Sequence, residues 1–504
     1  VRSIVQCLAF TLLSGIPVFA AAYQAEPPVT EREVLRVDRY ADDAQSGSLR
    51  WAIETNNREP GRYRIEIAAI GEAPYVIRPA SPLPEIKGPV AIEGIAWKTT
   101  GQFIVIDGSA YVKGEGTRAC PGAVEGQFGT NVRTTTLPGI VLRDTERVEL
   151  SGLEVRNFCI GILINRASHV HLHDNRIVAN MGGAGVMLTG DDGQGQSTAT
   201  TTIHNRVERN EFIDNGDGLE LTRGAAFNLI ADNLFRSTDA NPEPSQGIEI
   251  LWGNDNTVVR NRFENYSDGL QINWGNRNFI AANVFTGNSI GVSLTGEGNI
   301  VDGNTITGNG IGVAVRPQPI SSSNRISANA IHGNGLDIRR CQAGGACVEG
   351  QRRGAIVFGV PGLEHAPFVG SRGIGVDTDP SKRARICTQV TESDCQPIPN
   401  HDQAAPRLIA VRKSGKAALE IRGELQSRPH TLYRIEFFAN SDAKSAEAEY
   451  FIGVLPVATD AQGKASFTYT AQIGAGVVAA NVTATATAPD GAVSQVSAPA
   501  RGVR

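Results

Sequence analysis

The sequence predicts an all-β chain: a right-handed parallel β-helix of about ten coils with an N-terminal helical cap, then a small antiparallel β-sandwich. Three observations carry that expectation. Glycine-centred segments recur as CIGILIN (Gly161), GAGVMLT (Gly185), GDGLELT (Gly218), SQGIEIL (Gly247), SDGLQIN (Gly269), SIGVSLT (Gly291) and GIGVAVR (Gly312), and from Gly247 the steps are 22, 22 and 21 residues. Asn-x-apolar anchors recur at Asn233, Asn261, Asn283, Asn304 and Asn329, with a further series at Asn256, Asn278, Asn299 and Asn324. From Pro406 the composition shifts to Ala, Val and Thr in period-two alternation. A fixed period of short strands split by Asn and Gly suits a β-helix, because each coil buries its apolar residues only when neighbours stack on both sides. Asn at the bends tolerates left-handed backbone and can form a ladder, and Gly serves the other bend.

Taken in chain order, residues 1–22 read as an export signal: Arg2, an apolar run from Ile4 to Phe19, then Ala20, Ala21 and Ala22. Gly15 and Pro17 interrupt that run, so no transmembrane segment is expected in the mature chain, which would be secreted, periplasmic or on the surface of a bacterium. Six of the seven cysteines remain after cleavage of Cys7. Cys341 with Cys347 and Cys387 with Cys395 are close enough to close small loops, leaving Cys120 for Cys159. Residues 23–60 hold the clearest amphipathic helix, Ser48 to Asn56, which would cover the open first coil. Residues 61–375 form the coils, 376–404 a cysteine-containing linker and 405–504 the sandwich, with hairpin turns at Asp460 to Gly463 and Pro489 to Gly491. Insertions at 111–137, 190–202 and 237–245 leave the solenoid as loops, and the last two flank the GDGLELT coil as walls of a groove.

The stretch SGSLRWAI, followed by SPLPEIKGPVAIEG and IVIDGSA, resembles the start of exported bacterial right-handed β-helix proteins of the CSLREAI type, with Gly47 for the Cys and Arg50-Trp51 for the Arg-Glu pair. TLYRIEFFAN resembles the Ig-like or fibronectin-like domains that follow such helices. The resemblance implies the pectate-lyase-like superfamily with NosD-type repeats, which contains hydrolases, lyases and non-enzymes. The net charge of -5 and the lack of a basic tract exclude general nucleic-acid binding.

Candidate chemistry lies where the repeat changes character. The residue before the aligned Gly is Ile160, Ala184, Asp217, Gln246, Asp268, Ile290 and Ile311, so three successive coils carry a polar group. Two residues after the Gly, on the face strand alternation turns outward, stand Leu163, Met187, Glu220, Glu249, Gln271, Ser293 and Ala314. Five after it, the same three coils supply Arg223, Trp252 and Trp274. Asp217, Glu220, Arg223, Gln246, Glu249, Trp252, Asp268, Gln271, Asn273 and Trp274 thus form one patch. Carboxylates one rung apart, about 4.8 Å, repel unless they share protons, a cation or a substrate.

Paired carboxylates beside aromatic rings suit a sugar, so the leading expectation is binding and cleavage of an extracellular polysaccharide or cell-surface glycan, by hydrolysis or elimination. In that scheme Asp217, Glu220, Arg223, Glu249 and Asp268 do the chemistry, while Gln246, Trp252, Gln271, Asn273 and Trp274 bind. The NGDGLEL, SQGIEI, SDGLQI trio is similar to the active-site coils of polygalacturonases, but Gln246 stands for a required Asp and Asp268 for a His. Elimination would use a base with a cation or Arg. Ca2+ is the one cofactor indicated, through Asp217, Glu249 and Asp268. The alternative is a non-catalytic adhesion or scaffolding β-helix that binds glycan or Ca2+. A separate group, His169, His171 and His173 with Glu208 one coil later, has metal-ligand character. The plainer reading, a solvated polar strand, is preferred there because no orienting carboxylate can be assigned from sequence.

Overall fold

The computed structural model describes residues 32–113, 120, 137–194, 197–241, 244–316, 321–336, 338, 355–358, 398–415 and 417–500. The expected signal and Cys341, Cys347, Cys387 and Cys395 lie outside them, as does most of the 111–137 insertion.

The repeat folds into a right-handed parallel β-helix with three long sheets. Among the described residues sheet I has 11 strands, from Glu33–Val37 to Arg325–Ser327; sheet II has 10, from Tyr75–Ile77 to Ala330–His332; sheet III has 9, from Pro138–Glu146 to Ile356–Phe358. One coil runs through Thr257–Val259, Arg262–Glu264 and Asp268–Asn273 in turn. Inward residues stack by type. Phe212, Phe235, Phe263 and Phe285 are fully buried, with successive ring centroids 4.4, 4.9 and 4.6 Å apart.

The corners work differently from the expectation. The left-handed residue is the one before the Asn, as in Asp232, Arg260 and Ala282 (φ 57°, 56° and 54°). Asn itself builds the ladder. Asn283 Nδ2 donates to Val258 O at 2.9 Å and to Asn304 Oδ1 at 3.0 Å, while its own Oδ1 accepts from Asn261 N at 2.8 Å. This satisfies corner groups that burial would otherwise leave unpaired. The aligned glycines sit inside sheet III, not at a bend: a Cβ on Gly247 would lie 2.5 Å from Gly269 O and 2.7 Å from the Phe263 ring. Close stacking of coils requires them.

Helix Leu49–Arg58 forms as expected, capped by Ser48, whose hydroxyl accepts from Trp51 N, and it buries Leu49, Ala52 and Ile53. The parallel sheet begins ahead of it, since Glu33–Val37 pairs with Tyr63–Ile67. The lid is therefore an excursion within the first coil, and the solenoid starts before residue 61. Cys120 and Cys159 form a disulfide.

The C-terminal region holds two three-stranded antiparallel sheets, one with Arg407–Lys413, Ala418–Gln426 and Lys464–Gln472, the other with Leu432–Asn440, Tyr450–Ala458 and Asn481–Thr487. The Asp460 to Gly463 turn joins strands of different sheets, so it is an arch and not a hairpin. Among the described residues no helix is long and apolar enough to cross a membrane.

Candidate functional site

Sheet III positions the patch. Its registers place Glu220 opposite Glu249 and Glu249 opposite Gln271, and Gln246 opposite Asp268. The flanking outward positions are mostly apolar: Ile160, Leu163, Ala184 and Met187 cluster on one side, Ile290, Ile311 and Ala314 on the other, with the buried Ser293 opposite Gln271 as the polar one among them. Between them lies a polar window three coils wide, the one the sequence columns delimit. Asp217, Glu220, Asp268 and Gln271 are no more than 8% exposed, and Glu249 is the partly exposed carboxylate.

The window is tightly bonded. Gln246 N donates to Asp217 Oδ1 at 3.1 Å, and Gln271 Nε2 donates to Asp268 Oδ2 at 2.8 Å. Asn273 Nδ2 donates to Glu249 Oε1 at 2.7 Å and to Gln271 Oε1 at 2.8 Å. Arg316, which sequence reasoning missed, reaches back two coils to Asn273 Oδ1. Trp252 and Trp274 stack at 4.8 Å, and the Arg223 guanidinium lies 4.1 Å over the Trp252 ring. The backbone of Arg223 is held through its carbonyl, which accepts from Gly190 N at 2.6 Å. Gly224 follows at φ 75°, where a Cβ would meet Ala199 O at 2.4 Å, so the 190–202 insertion closes against this corner. All ten residues singled out in sequence belong to this one neighbourhood.

Electrostatics divides the carboxylates. Burial pushes Asp217 up to about 8, with Glu249 adding like charge. Glu220 is pushed well above the usual carboxylate range by burial and then by Glu249 and Asp217. Burial also raises Glu249, against the Asn273 hydrogen bond and the charge of Arg316. Asp268 is raised by burial only to about 6, because Arg316 and the Gln271 amide favour its charged form. Tyr266, just before Asp268, takes the corner place that Asn holds in the next coils; it is fully buried and its hydroxyl has no partner. Asp217, Glu220 and Glu249 each offer an oxygen within 4.8 Å of the others, a donor set of the kind hard cations accept.

The histidine group is split. His169 turns away at a corner, its ring 5.6 Å from His204, whereas His171 and His173 lie with Glu149 on sheet I. The orienting carboxylate that sequence could not supply is Asp174, whose Oδ2 is 2.6 Å from His173 Nδ1.

Two family models match the chain: NosD, described as a periplasmic copper-binding protein, over residues 238–346, and the right-handed β-helix region over 122–263. The chain is 56% identical to a 3-dehydroshikimate dehydratase of Acinetobacter baylyi over 453 residues, covering 90% of this chain and 92% of that protein. Similar solved structures include a periplasmic alginate epimerase (14% identity, TM-score 0.35, 53% of this chain and 59% of that one). Another is a pectate lyase (12% identity, TM-score 0.34, 61% of this chain and 80% of that one). These two are a likeness of fold and no more.

Proposed function

The chain belongs to the family of the Acinetobacter baylyi 3-dehydroshikimate dehydratase, and from that premise we propose that it removes water from the same small ring, a β-hydroxy ketone bearing a carboxylate. The observation that carries the reading is burial. A polymer needs an open cleft, whereas this window keeps four of its polar side chains at or below 8% exposure between two apolar clusters. In this reading a single ring takes the place of the polysaccharide expected from sequence, and the elimination branch of that expectation is retained.

Dehydration needs one group that is a base and another that is an acid at the same pH, which environments that push pKa values apart supply. Asp268, about 6, is the base: it takes the proton on the carbon α to the ketone, and the electron pair moves onto the ketone oxygen. The ketone re-forms as the C–O bond to the β-hydroxyl breaks. Glu249 protonates that hydroxyl as it leaves as water, and Asp217 and Glu220, both held protonated at neutral pH, stand beside it as proton donors. The ring methylene then loses a proton while the ketone oxygen gains one, which gives the aromatic diol, and the net change is one water. Arg223 at the rim pairs with the substrate carboxylate, and the Trp252–Trp274 stack offers the ring a face. The site is proposed to act outside the cytoplasm, after export.

The test is incubation of the purified chain with 3-dehydroshikimate, following catechol absorbance and product mass. A product lighter by one water is expected, with at least about a hundredfold loss in Asp268→Asn and in Glu249→Gln. No dehydration by the parent chain, or full activity in both variants, would overturn the reading.

A further inference from the structure

A second constellation lies on sheet I, away from the sheet III window. Glu149 pairs in register with His171, one rung on, and His173 stands two residues along the same strand, hence on the same outward face. The two imidazoles are 4.1 Å apart at their centroids. Each of the three residues offers a ligand atom, and these atoms all lie within 4.8 Å of one another.

The orientation of both rings is fixed from outside. His173 Nδ1 meets Asp174 Oδ2 at 2.6 Å, which turns its Nε2 to Glu149 Oε1 at 2.9 Å. His171 Nε2 meets Glu208 Oε2 at 3.1 Å, leaving Nδ1 as its ligand atom. Each imidazole thus has a carboxylate on its second nitrogen, the arrangement that sets tautomer and basicity in metal sites. These two outer carboxylates are in turn held by cations: Arg209 pairs with Asp174 at 3.0 Å and Arg206 with Glu208 at 2.6 Å. Beside Glu149 an open cavity of about 470 Å³, lined also by Arg64, Glu66 and Glu93, gives solvent a way in.

We infer that Glu149, His171 and His173 bind a divalent first-row transition ion of the zinc class, with Asp174 and Glu208 orienting the two imidazoles. Two nitrogens and one oxygen favour such an ion over Ca2+ or Mg2+, which prefer oxygen alone. Bonds of about 2.1 Å at a tetrahedral angle put two ligand atoms about 3.4 Å apart, so the His173–Glu149 contact needs to open by only a few tenths of an ångström. Three protein ligands leave one tetrahedral position open. The inference is independent of the proposed dehydration, and the NosD match at 238–346 does not include these residues.

The test is calorimetric titration of the chelator-stripped full chain with zinc chloride, and separately with calcium chloride. The result expected is a saturable zinc site that the double variant His171→Ala/His173→Ala loses, and that Asp174→Asn weakens about tenfold to a hundredfold. His173→Gln keeps a hydrogen-bonding amide on the strand, and its melting curve checks folding; it must lose the site as well. Cobalt substitution should give the visible absorption of a four-coordinate ion in the parent alone. Absence of zinc binding, zinc binding unchanged in the double variant and in His173→Gln, or equal uptake of calcium at these residues would overturn the inference.

Discussion

Asp268 is held at about 6 while Asp217, on the second rung before it, is held at about 8, and this difference is what a pH profile should read. If Asp268 must be ionised and the Asp217 group protonated, kcat/KM rises with pH through about 6 and falls through about 8, each limb belonging to the coupled set and not to one residue. Asp268→Asn should erase the acid limb along with most of the turnover, and its melting temperature should stay near that of the parent, since Asn keeps an oxygen to accept from Gln271. Trp274→Ala should instead raise KM, because its exposed ring offers a face and no proton. Stability carries its own sign. A carboxyl whose folded pKa is raised binds its proton more tightly when folded, so its contribution is fully present below the ordinary value near 4 and is lost as pH rises through about 8. Asp217→Asn should therefore melt progressively higher than the parent as pH goes from about 4 to about 8, with the difference level above that, as read by calorimetry. The three columns that locate these residues were legible because every rung repeats the same backbone place. Arg316 was not. It acts from one column on another two coils away, and a residue-by-residue comparison of equivalent positions does not register a side chain long enough to cross rungs.

The corner between sheets I and II is the element that holds the coils in register. Asn283 gives and accepts five hydrogen bonds there: with Val258 O and Asn304 Oδ1 through Nδ2, with Asn304 Oδ1 through N, and with Asn261 N and Nδ2 through Oδ1. Replacing it by Ala leaves several buried donors and acceptors without partners, each costing about 1 to 3 kcal/mol. Asn283→Ala should lower the melting temperature by many degrees in a thermal melt, whereas an exposed substitution such as Arg277→Ala, at a neighbouring corner, should change little. The ladder itself could be read from the Asn spacing, yet the left-handed step could not be placed on the correct residue. Asp, Arg, Ala and Gly all occupy it, so it has no single sequence mark. The third corner series holds Asn180 and Asn215 early and Asn288, Asn309 and Asn334 late, and Tyr266 interrupts it between them, which hid it.

At the scale of the whole molecule, a solenoid ends where its last coil finds partners. The C-terminal sheets supply them. Ala328 N donates to the buried Glu436 at 2.8 Å, Ile331 and Ala448 exchange backbone hydrogen bonds, and Gly333 N and Asn334 N donate to Glu447. Asn400 acts as one more rung of a ladder, accepting from Asn324 N at 3.0 Å and donating to Asn324 O at 2.8 Å. Phe438, Ala448 and Val493 join the core of the coils. A chain ending before Ile398 would lose all of these at once and expose the edge of sheets I and II, the kind of edge that recruits other chains. Such a truncation should keep a β-type circular dichroism spectrum, melt lower than the full chain, and form aggregates by light scattering at concentrations where the full chain stays dispersed. The window on sheet III lies coils away from that end, so any truncated chain that remains dispersed should keep its dehydration activity. Loss of activity in a well-folded truncated chain would mean that the C-terminal sheets reach the site by a route other than capping.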